Sequence, residues 1–367
     1  MKTSVGFGMV GFGMIGRTHL AAMEVNRVLH EGSCNPYPRG VCTRRPEAMA
    51  GLPFERVYGD PRELVSDPLV EVVDICTPNY LHGSAARTAL EAGKSLYVEK
   101  PLSHDPAEAE ALARLAEEKA LPNQCALTLR FRPAVNRMKD LLEAGAIGKA
   151  VHFRACYFHH SYLDPARPMS WRQELDKSGG GSVMDLGIHL LDMLRYLLGD
   201  ADRVLALART LHRIRYLEGK SRPNNTDEYL CAMVEMKNGS AGLVETSRIS
   251  DSPVHNEGFE IFGAGGSLSL DFDRGRVFLN RAGGGGPLLV EGGPGPLEQA
   301  LLPLLPPVRQ SLGPFVDAHA AALKNMAAWH AGERPFPGTP TFAEAVRAQA
   351  LVHACLRSAE NGRWEQP

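Results

Sequence analysis

Ser4-Val5-Gly6-Phe7-Gly8-Met9-Val10 runs directly into Gly11-Phe12-Gly13-Met14-Ile15-Gly16, and Arg17 to Leu29 then reads as a helix. Two overlapping G-x-G-x-x-G spacings are present, Gly6-Gly8-Gly11 and Gly11-Gly13-Gly16. The first would bury its glycines inside the strand. The second sits between strand and helix, where backbone N–H groups and the positive helix end point at a pyrophosphate. For an isolated match, a plain tight turn is the alternative reading, so the flanking chain has to decide.

Val41-Cys42 ends a second strand and leads into Thr43-Arg44-Arg45. An acidic residue at this point binds the adenosine ribose hydroxyls in NAD enzymes; here no carboxylate repels a 2′-phosphate and two guanidiniums can bind one. NADP is therefore favoured, with NAD possible, and a pair of solvated loop arginines is the plainer alternative. Val70 to Cys76 and Ser95 to Val98 read as further strands, separated by a helix from Ser84 to Ala92 that Gly93 closes. Asp105-Pro106 opens another helix, running to about Ala120, with Glu108 spaced to return the capping hydrogen bond. Alternating strands and helices imply a parallel sheet, an α/β Rossmann domain over residues 1–125.

Beyond Arg130 the pattern changes. Val151 to Phe158, Asp202 to Thr210, Tyr229 to Met236, Ser240 to Thr246, Phe259 to Phe262 and Ser267 to Phe272 read as successive strands of a large, mostly antiparallel sheet. Asn238-Gly239 marks a hairpin, because both residues accept positive φ. Ala282 to Pro314, rich in Gly, Pro and Leu, reads as a surface excursion without an assigned role. Phe315 to Ala331 and Thr341 to Asn361 read as closing helices. Residues 126–367 are expected to form an α/β domain for substrate binding and oligomerisation, the last helix being a candidate to pack back on the first domain.

The 367 residues suffice for two cores at roughly 100–200 residues each. Lys plus Arg (40) nearly balance Asp plus Glu (42), so a nucleic-acid or anionic-membrane partner is not expected. The seven cysteines (Cys34, Cys42, Cys76, Cys125, Cys156, Cys231, Cys355) are scattered and fit neither a disulfide framework nor a zinc ribbon. With no apolar run of membrane length and no leader pattern, a cytoplasmic location is the expectation.

Asp74-Ile75-Cys76-Thr77-Pro78-Asn79 with His82, followed by Tyr97-Val98-Glu99-Lys100-Pro101-Leu102, resembles the Gfo/Idh/MocA family of sugar and inositol oxidoreductases. Trp171-Arg172, Ser178-Gly179-Gly180-Gly181, Asp185-Leu186-Gly187-Ile188-His189 with Asp192, and Gly362-Arg363-Trp364 extend the resemblance over nearly the whole chain. It implies a Rossmann domain and a second α/β domain whose open sheet faces the nicotinamide and often joins subunits, hence a homodimer or homotetramer. It also implies Lys100 beside the reacting carbon with a cis peptide before Pro101, and Asp185 and His189 as the family's Asp and His. Cofactor contacts are expected from Gly11, Phe12, Gly13, Met14, Ile15, Gly16, Thr43, Arg44, Arg45, Cys76, Thr77, Pro78, Asn79, His82, Glu99, Lys100, Pro101 and Arg172, and substrate contacts from Lys100, Arg130, His160, Trp171, Asp185 and His189. Thr128 stands where the family usually has Asn before the arginine, here Arg130.

Oxidising an alcohol needs a group that takes the hydroxyl proton as the hydride leaves, and histidine suits neutral pH. On a helix Asp185, His189, Asp192 and Tyr196 share a face, beside an apolar stripe of Leu186, Leu190, Met193, Leu194 and Leu197. His189 is the candidate base; Asp185 either orients it or binds a substrate hydroxyl, and Lys100 favours the developing oxyanion. The plainer readings are a structural helical histidine, a Lys100–Glu99 ion pair and an Asp192–Arg195 pair at i+3. Adjacent His159 and His160 on a strand point to opposite faces, so no metal is expected even with Asp164 nearby. Trp171, Arg172 and His160 suit a polyol pocket, and Tyr157 suits core packing better. The reading is an NAD(P)-dependent dehydrogenase or reductase acting on a CH–OH or C=O carbon of a sugar, inositol or related polyol. Its alternatives are a redox-assisted NAD-dependent glycosidase and a non-catalytic dinucleotide-sensing regulator, the latter disfavoured by retention of Lys100, Asp185 and His189.

Overall fold

The computed structural model describes residues 4–29, 34–251 and 256–367. β1 (Ser4–Val10) passes through the glycine turn into α1 (Met14–Leu29), followed by β2 (Asn35–Cys42), β3 (Arg56–Tyr58), α2 (Pro61–Ser66), β4 (Val72–Ile75), α3 (His82–Glu91), β5 (Ser95–Val98), α4 (Pro106–Glu118) and β6 (Asn123–Cys125). These six strands pair in parallel in the order β3-β2-β1-β4-β5-β6. The order reverses between β1 and β4, where ligands bind outside the strand ends of such sheets. With helices on both faces, the strands read as nearly continuous apolar runs, and Phe7, Met9, Val72, Val73, Leu96 and Tyr97 are fully buried.

Next come α5 (Pro133–Glu143), β7 (Ala150–Phe158), α6 (Leu175–Ser178), α7 (Ile188–Leu198), β8 (Ala201–Arg209), β9 (Ile214–Leu217), β10 (Lys220–Pro223), β11 (Tyr229–Met236), β12 (Ala241–Ser247), β13 (Glu257–Gly263), β14 (Gly266–Asp271), β15 (Arg276–Arg281), β16 (Leu288–Leu289), α8 (Pro296–Leu301), α9 (Pro314–His330) and α10 (Phe342–Asn361). Eight of these strands form a mixed sheet, β16-β15-β14-β13-β7-β12-β11-β8, in which β7 and β12 run parallel and the remaining neighbours antiparallel. Leu230, Ala232, Val234 and Met236 of β11 turn inward, while Met233 between them is exposed. That alternation is expected of a sheet with one buried face.

The chain groups into two compact units. The first joins residues 1–131 with 299–346, and the second joins 132–298 with 347–367. In the first unit, Leu20, Ala22 and Met23 of α1 and Ala318, Ala321, Ala322 and Met326 of α9 belong to one apolar cluster, whose alanines permit close helix approach. The single break after residue 125 expected from the sequence is thus a discontinuous arrangement, because α9 buries its apolar surface with the parallel sheet.

Three local expectations gain detail, and one of them, the capping return, is corrected. At Asn238-Gly239 positive φ is confined to Gly239 (+88°); the Asn238 side-chain Oδ1 accepts from the Ser240 N–H and its Nδ2 donates to the Leu198 carbonyl. Asp105 does cap α4, accepting from the Ala107 and Glu108 N–H groups, but its own N–H donates to the Ser103 hydroxyl, which also bonds Glu108 in place of the expected capping return. The segment 282–314 contains β16 and α8, the latter capped by Asp140, which accepts from the Leu297 and Glu298 N–H groups. The β9–β10 hairpin was not legible in the sequence at all. No described helix is long and apolar enough to cross a membrane.

Candidate active site

In the first unit, Gly11 has φ +90° and a methyl group there would lie 2.9 Å from the Cys76 carbonyl oxygen. Glycine is required at this turn both for conformation and for the approach of the β4 end. A methyl at Gly13 would meet nothing within 4 Å, so the space beside the turn is open. The first intrahelical bond of α1 runs from the Arg17 N–H to the Gly13 carbonyl, and no carboxylate stands in the first turn. The turn therefore offers helix N-terminal donors without a competing anion. The Thr77 hydroxyl, buried beside this turn, has no hydrogen-bond partner, an acceptor or donor waiting for a ligand group. These features fit a bound dinucleotide. Gly6 of the decoy spacing lies inside β1, where a methyl would come within 2.0 Å of the Leu69 carbonyl oxygen, so it is a packing position.

Thr43 follows β2, its hydroxyl accepting from the Arg45 N–H at 3.2 Å, and the Arg44 and Arg45 side chains are exposed. The Lys100–Pro101 peptide is cis. Not every residue assigned to the cofactor directs its side chain there. His82 places Nδ1 2.7 Å from the Pro101 carbonyl and Nε2 2.8 Å from the Thr77 carbonyl, tying the loops after β4 and β5 together. Cys76 and Glu99 turn into a buried cluster around His19. Arg130, expected at the substrate, is buried and pairs with Glu344 at 3.0 Å.

In the second unit, Ser178-Gly179-Gly180-Gly181 leads into a π-helical turn, Val183–Gly187, that continues as α7. Asp185 thus lies in the π turn and His189 in the α-helix, so the regular face expected through Asp185 is broken at its first member; such bulges are frequent at functional sites. Asp227 caps the segment, accepting from the Gly181 N–H at 2.7 Å, the Ser182 hydroxyl at 2.6 Å and the Val183 N–H at 2.9 Å. Asp185 Oδ2 accepts from the Arg248 guanidinium at 3.0 Å. Arg248 is buried, lies over the Tyr162 ring at 5.0 Å, and reaches the Arg172 carbonyl. Arg172 itself lies 4.4 Å over the Trp171 ring.

His159 stands in this neighbourhood. Burial pushes its pKa down to about 4, with Arg248 and Arg167 acting in the same direction and Asp185 against it. Tyr157 is pushed up, first by burial and then by Glu257, with Asp185 again contributing. His160 is exposed, its side chain 67 % accessible, and stands 3.8 Å from Asp251. Tyr196 donates to Asn136 at 2.7 Å on α5, and Arg195 pairs with Asp200. Sequence reasoning chose His160 of the histidine pair and missed His159 and Arg248; strand alternation says that the two histidines diverge but not which one faces inward.

Residues 5–126 match the family model for an oxidoreductase family with an NAD-binding Rossmann fold, and residues 135–269 match the GFO/IDH/MocA C-terminal domain. Levoglucosan dehydrogenase of Pseudarthrobacter phenanthrenivorans is 32 % identical over 290 residues, 74 % of each chain. The NAD+-dependent scyllo-inositol 2-dehydrogenase of Bacillus subtilis is 32 % identical over 62 % of this chain and 63 % of its own. A solved levoglucosan dehydrogenase in complex with NADH and levoglucosan superposes with a TM-score of 0.89 over 99 % of both chains at 28 % identity.

Proposed function

The chain belongs to the Gfo/Idh/MocA family of NAD-binding oxidoreductases, and from that premise we propose that it oxidises a ring hydroxyl of a cyclic sugar or inositol, reversibly, to the ketone. The observation that carries the reading is Asp185, pinned by buried Arg248 four residues ahead of His189, in a segment whose start Asp227 caps. A fixed carboxylate beside a histidine orients an imidazole or grips a polyol hydroxyl, and this is what alcohol oxidation asks of a protein. His189 takes the hydroxyl proton, and Lys100 favours the oxygen as negative charge develops. A nicotinamide dinucleotide, when bound, supplies the hydride acceptor or donor. Gly11, Gly13, the first turn of α1 and the Thr77 hydroxyl are the groups that would hold its pyrophosphate.

NADP is the preferred dinucleotide in this reading, because β2 ends in Cys42-Thr43-Arg44-Arg45 with no carboxylate and two exposed guanidiniums. The open face of the eight-stranded sheet, with Leu207, Met233 and Leu243 exposed, supports a homodimer or homotetramer. Seven free cysteines are consistent with a cytoplasmic location.

Titration with NADPH and NADH, followed by nicotinamide fluorescence, and then a panel of levoglucosan, scyllo-inositol, myo-inositol and simple pyranoses with their keto forms, tests this. Turnover on a panel member that disappears in both Lys100→Ala and His189→Ala, with dinucleotide binding retained, is the expected result. Full turnover in both variants would remove the assigned roles, and failure to bind either dinucleotide would remove the reading itself.

A further inference from the structure

Behind the glycine turn the first unit buries a polar cluster that the roles above leave unused. His19 of α1 is fully buried, its Nδ1 3.0 Å from both carboxylate oxygens of Asp74 and its Nε2 3.2 Å from Glu99 Oε1. An ionised carboxylate only accepts, so with both carboxylates ionised both ring nitrogens donate and the ring is a cation. Cys76 Sγ lies 3.1 Å from the same Nδ1, and the Tyr97 and His319 rings flank the imidazole at 5.3 and 4.8 Å between centroids. Burial alone would disfavour the charged ring, but Asp74 and then Cys76 lift its pKa well above the ordinary value. Burial would likewise raise Glu99, but His19, followed by His319 and Lys100, brings it down to about 2. The second oxygen of Glu99 accepts the Lys100 backbone N–H at 3.2 Å.

We propose that His19 is a positioning residue for Lys100: its ring, anchored on Asp74, orients the Glu99 carboxylate, and that carboxylate holds the Lys100 backbone in place. The inference rests on the role of Lys100 given above. It ties α1, the end of β4 and the loop after β5 into one hydrogen-bonded relay, so that the element carrying the glycine turn also sets the lysine. His19, Asp74 and Cys76, and likewise His19, Glu99 and His319, place donor atoms within 4.8 Å of one another, as metal ligands would. With both His19 ring nitrogens facing carboxylate oxygens at 3.0–3.2 Å, the doubly protonated ring of this proposal leaves no lone pair for a metal ion.

The test uses His19→Gln, which keeps one amide donor, with Glu99→Gln as a second variant should the first fold poorly. In the full chain without added dinucleotide, nitrogen NMR of labelled histidine should show both His19 ring nitrogens protonated at pH 7.5, and the Lys100 amide should be slow to exchange. In His19→Gln the Lys100 amide should exchange at least about tenfold faster, NADH affinity should stay within about threefold, and kcat on the panel substrate should fall roughly 10- to 100-fold, as a misplaced catalytic group does. A neutral His19 ring, a stoichiometric metal in the purified protein, or unchanged Lys100 exchange overturns the relay while leaving the proposed function standing. Undiminished turnover in Lys100→Ala overturns the positioning role together with the lysine assignment, even if the relay's hydrogen bonds are present.

Discussion

Asp185 meets Arg248 across 63 positions of sequence, and that contact joins the carboxylate to a buried guanidinium. Replacing Arg248 with Met leaves the carboxylate without its guanidinium, and kcat/KM on the panel substrate should fall roughly 10- to 100-fold, as expected when a charged hydrogen bond is removed. The same substitution removes a positive charge facing His159, so the His159 imidazole should titrate above its value of about 4, whereas Asp185→Asn should move it lower. Histidine-resolved NMR from pH 3 to 8 reads both; movement in the opposite directions would detach His159 from this group. The sign for stability follows. His159 binds its proton less readily folded than unfolded, so its contribution is complete above about 6.5 and is lost as pH falls toward 4. At this scale the motifs that carry Lys100, Asp185 and His189 could be recognised because their local spacing is fixed; the roles of the three residues belong to the proposal. Arg248 and His159 were not: one follows an ordinary strand, and the other is half of a pair whose facing depends on register.

At the scale of elements, the glycine turn separates fold from function. Gly11→Ala forces a left-handed residue, costing about 1–2 kcal/mol before its contact with the Cys76 carbonyl is counted. Gly13→Ala meets open space. The first should therefore lower both the thermal midpoint and NADH affinity, and the second NADH affinity alone; equal midpoint losses would show that Gly13 too is structural. The other glycine run serves a cap. A methyl at Gly181 would come within 1.8 Å of the Asp227 carbonyl oxygen, and the Asp227 side chain holds three donors. Asp227→Asn turns an amide toward one of those donors, so chemical denaturation should report a loss of about 2–3 kcal/mol. A loss below 0.5 kcal/mol, the scatter of neutral surface changes, would deny the cap its role. The period-two strands of the second unit were readable because one face is buried. The β9–β10 hairpin was not, because Arg215 reads as a surface charge, whereas it is fully buried against Glu228 at 2.9 Å and the Tyr162 carbonyl at 2.6 Å.

For the whole molecule, the exposed row of Leu207, Met233 and Leu243 makes a prediction about assembly. Light scattering should find a homodimer or homotetramer, and Met233→Lys with Leu243→Glu should shift it toward monomer while dinucleotide binding persists. A wild-type monomer at micromolar concentration would remove the oligomer from the proposal. Fold class and the glycine turn were settled by pattern within short windows, because strand alternation, positive-φ turns and helix starts are local physics, whereas the lysine, aspartate and histidine motifs were recognised through the family resemblance. Tertiary structure alone decided that 299–346 completes the first unit, that Arg248 holds Asp185, and that His19 sits between Asp74 and Glu99. Each of these depends on groups far apart in sequence whose charges or apolar faces are stable in the interior only when paired, and no local window contains both partners.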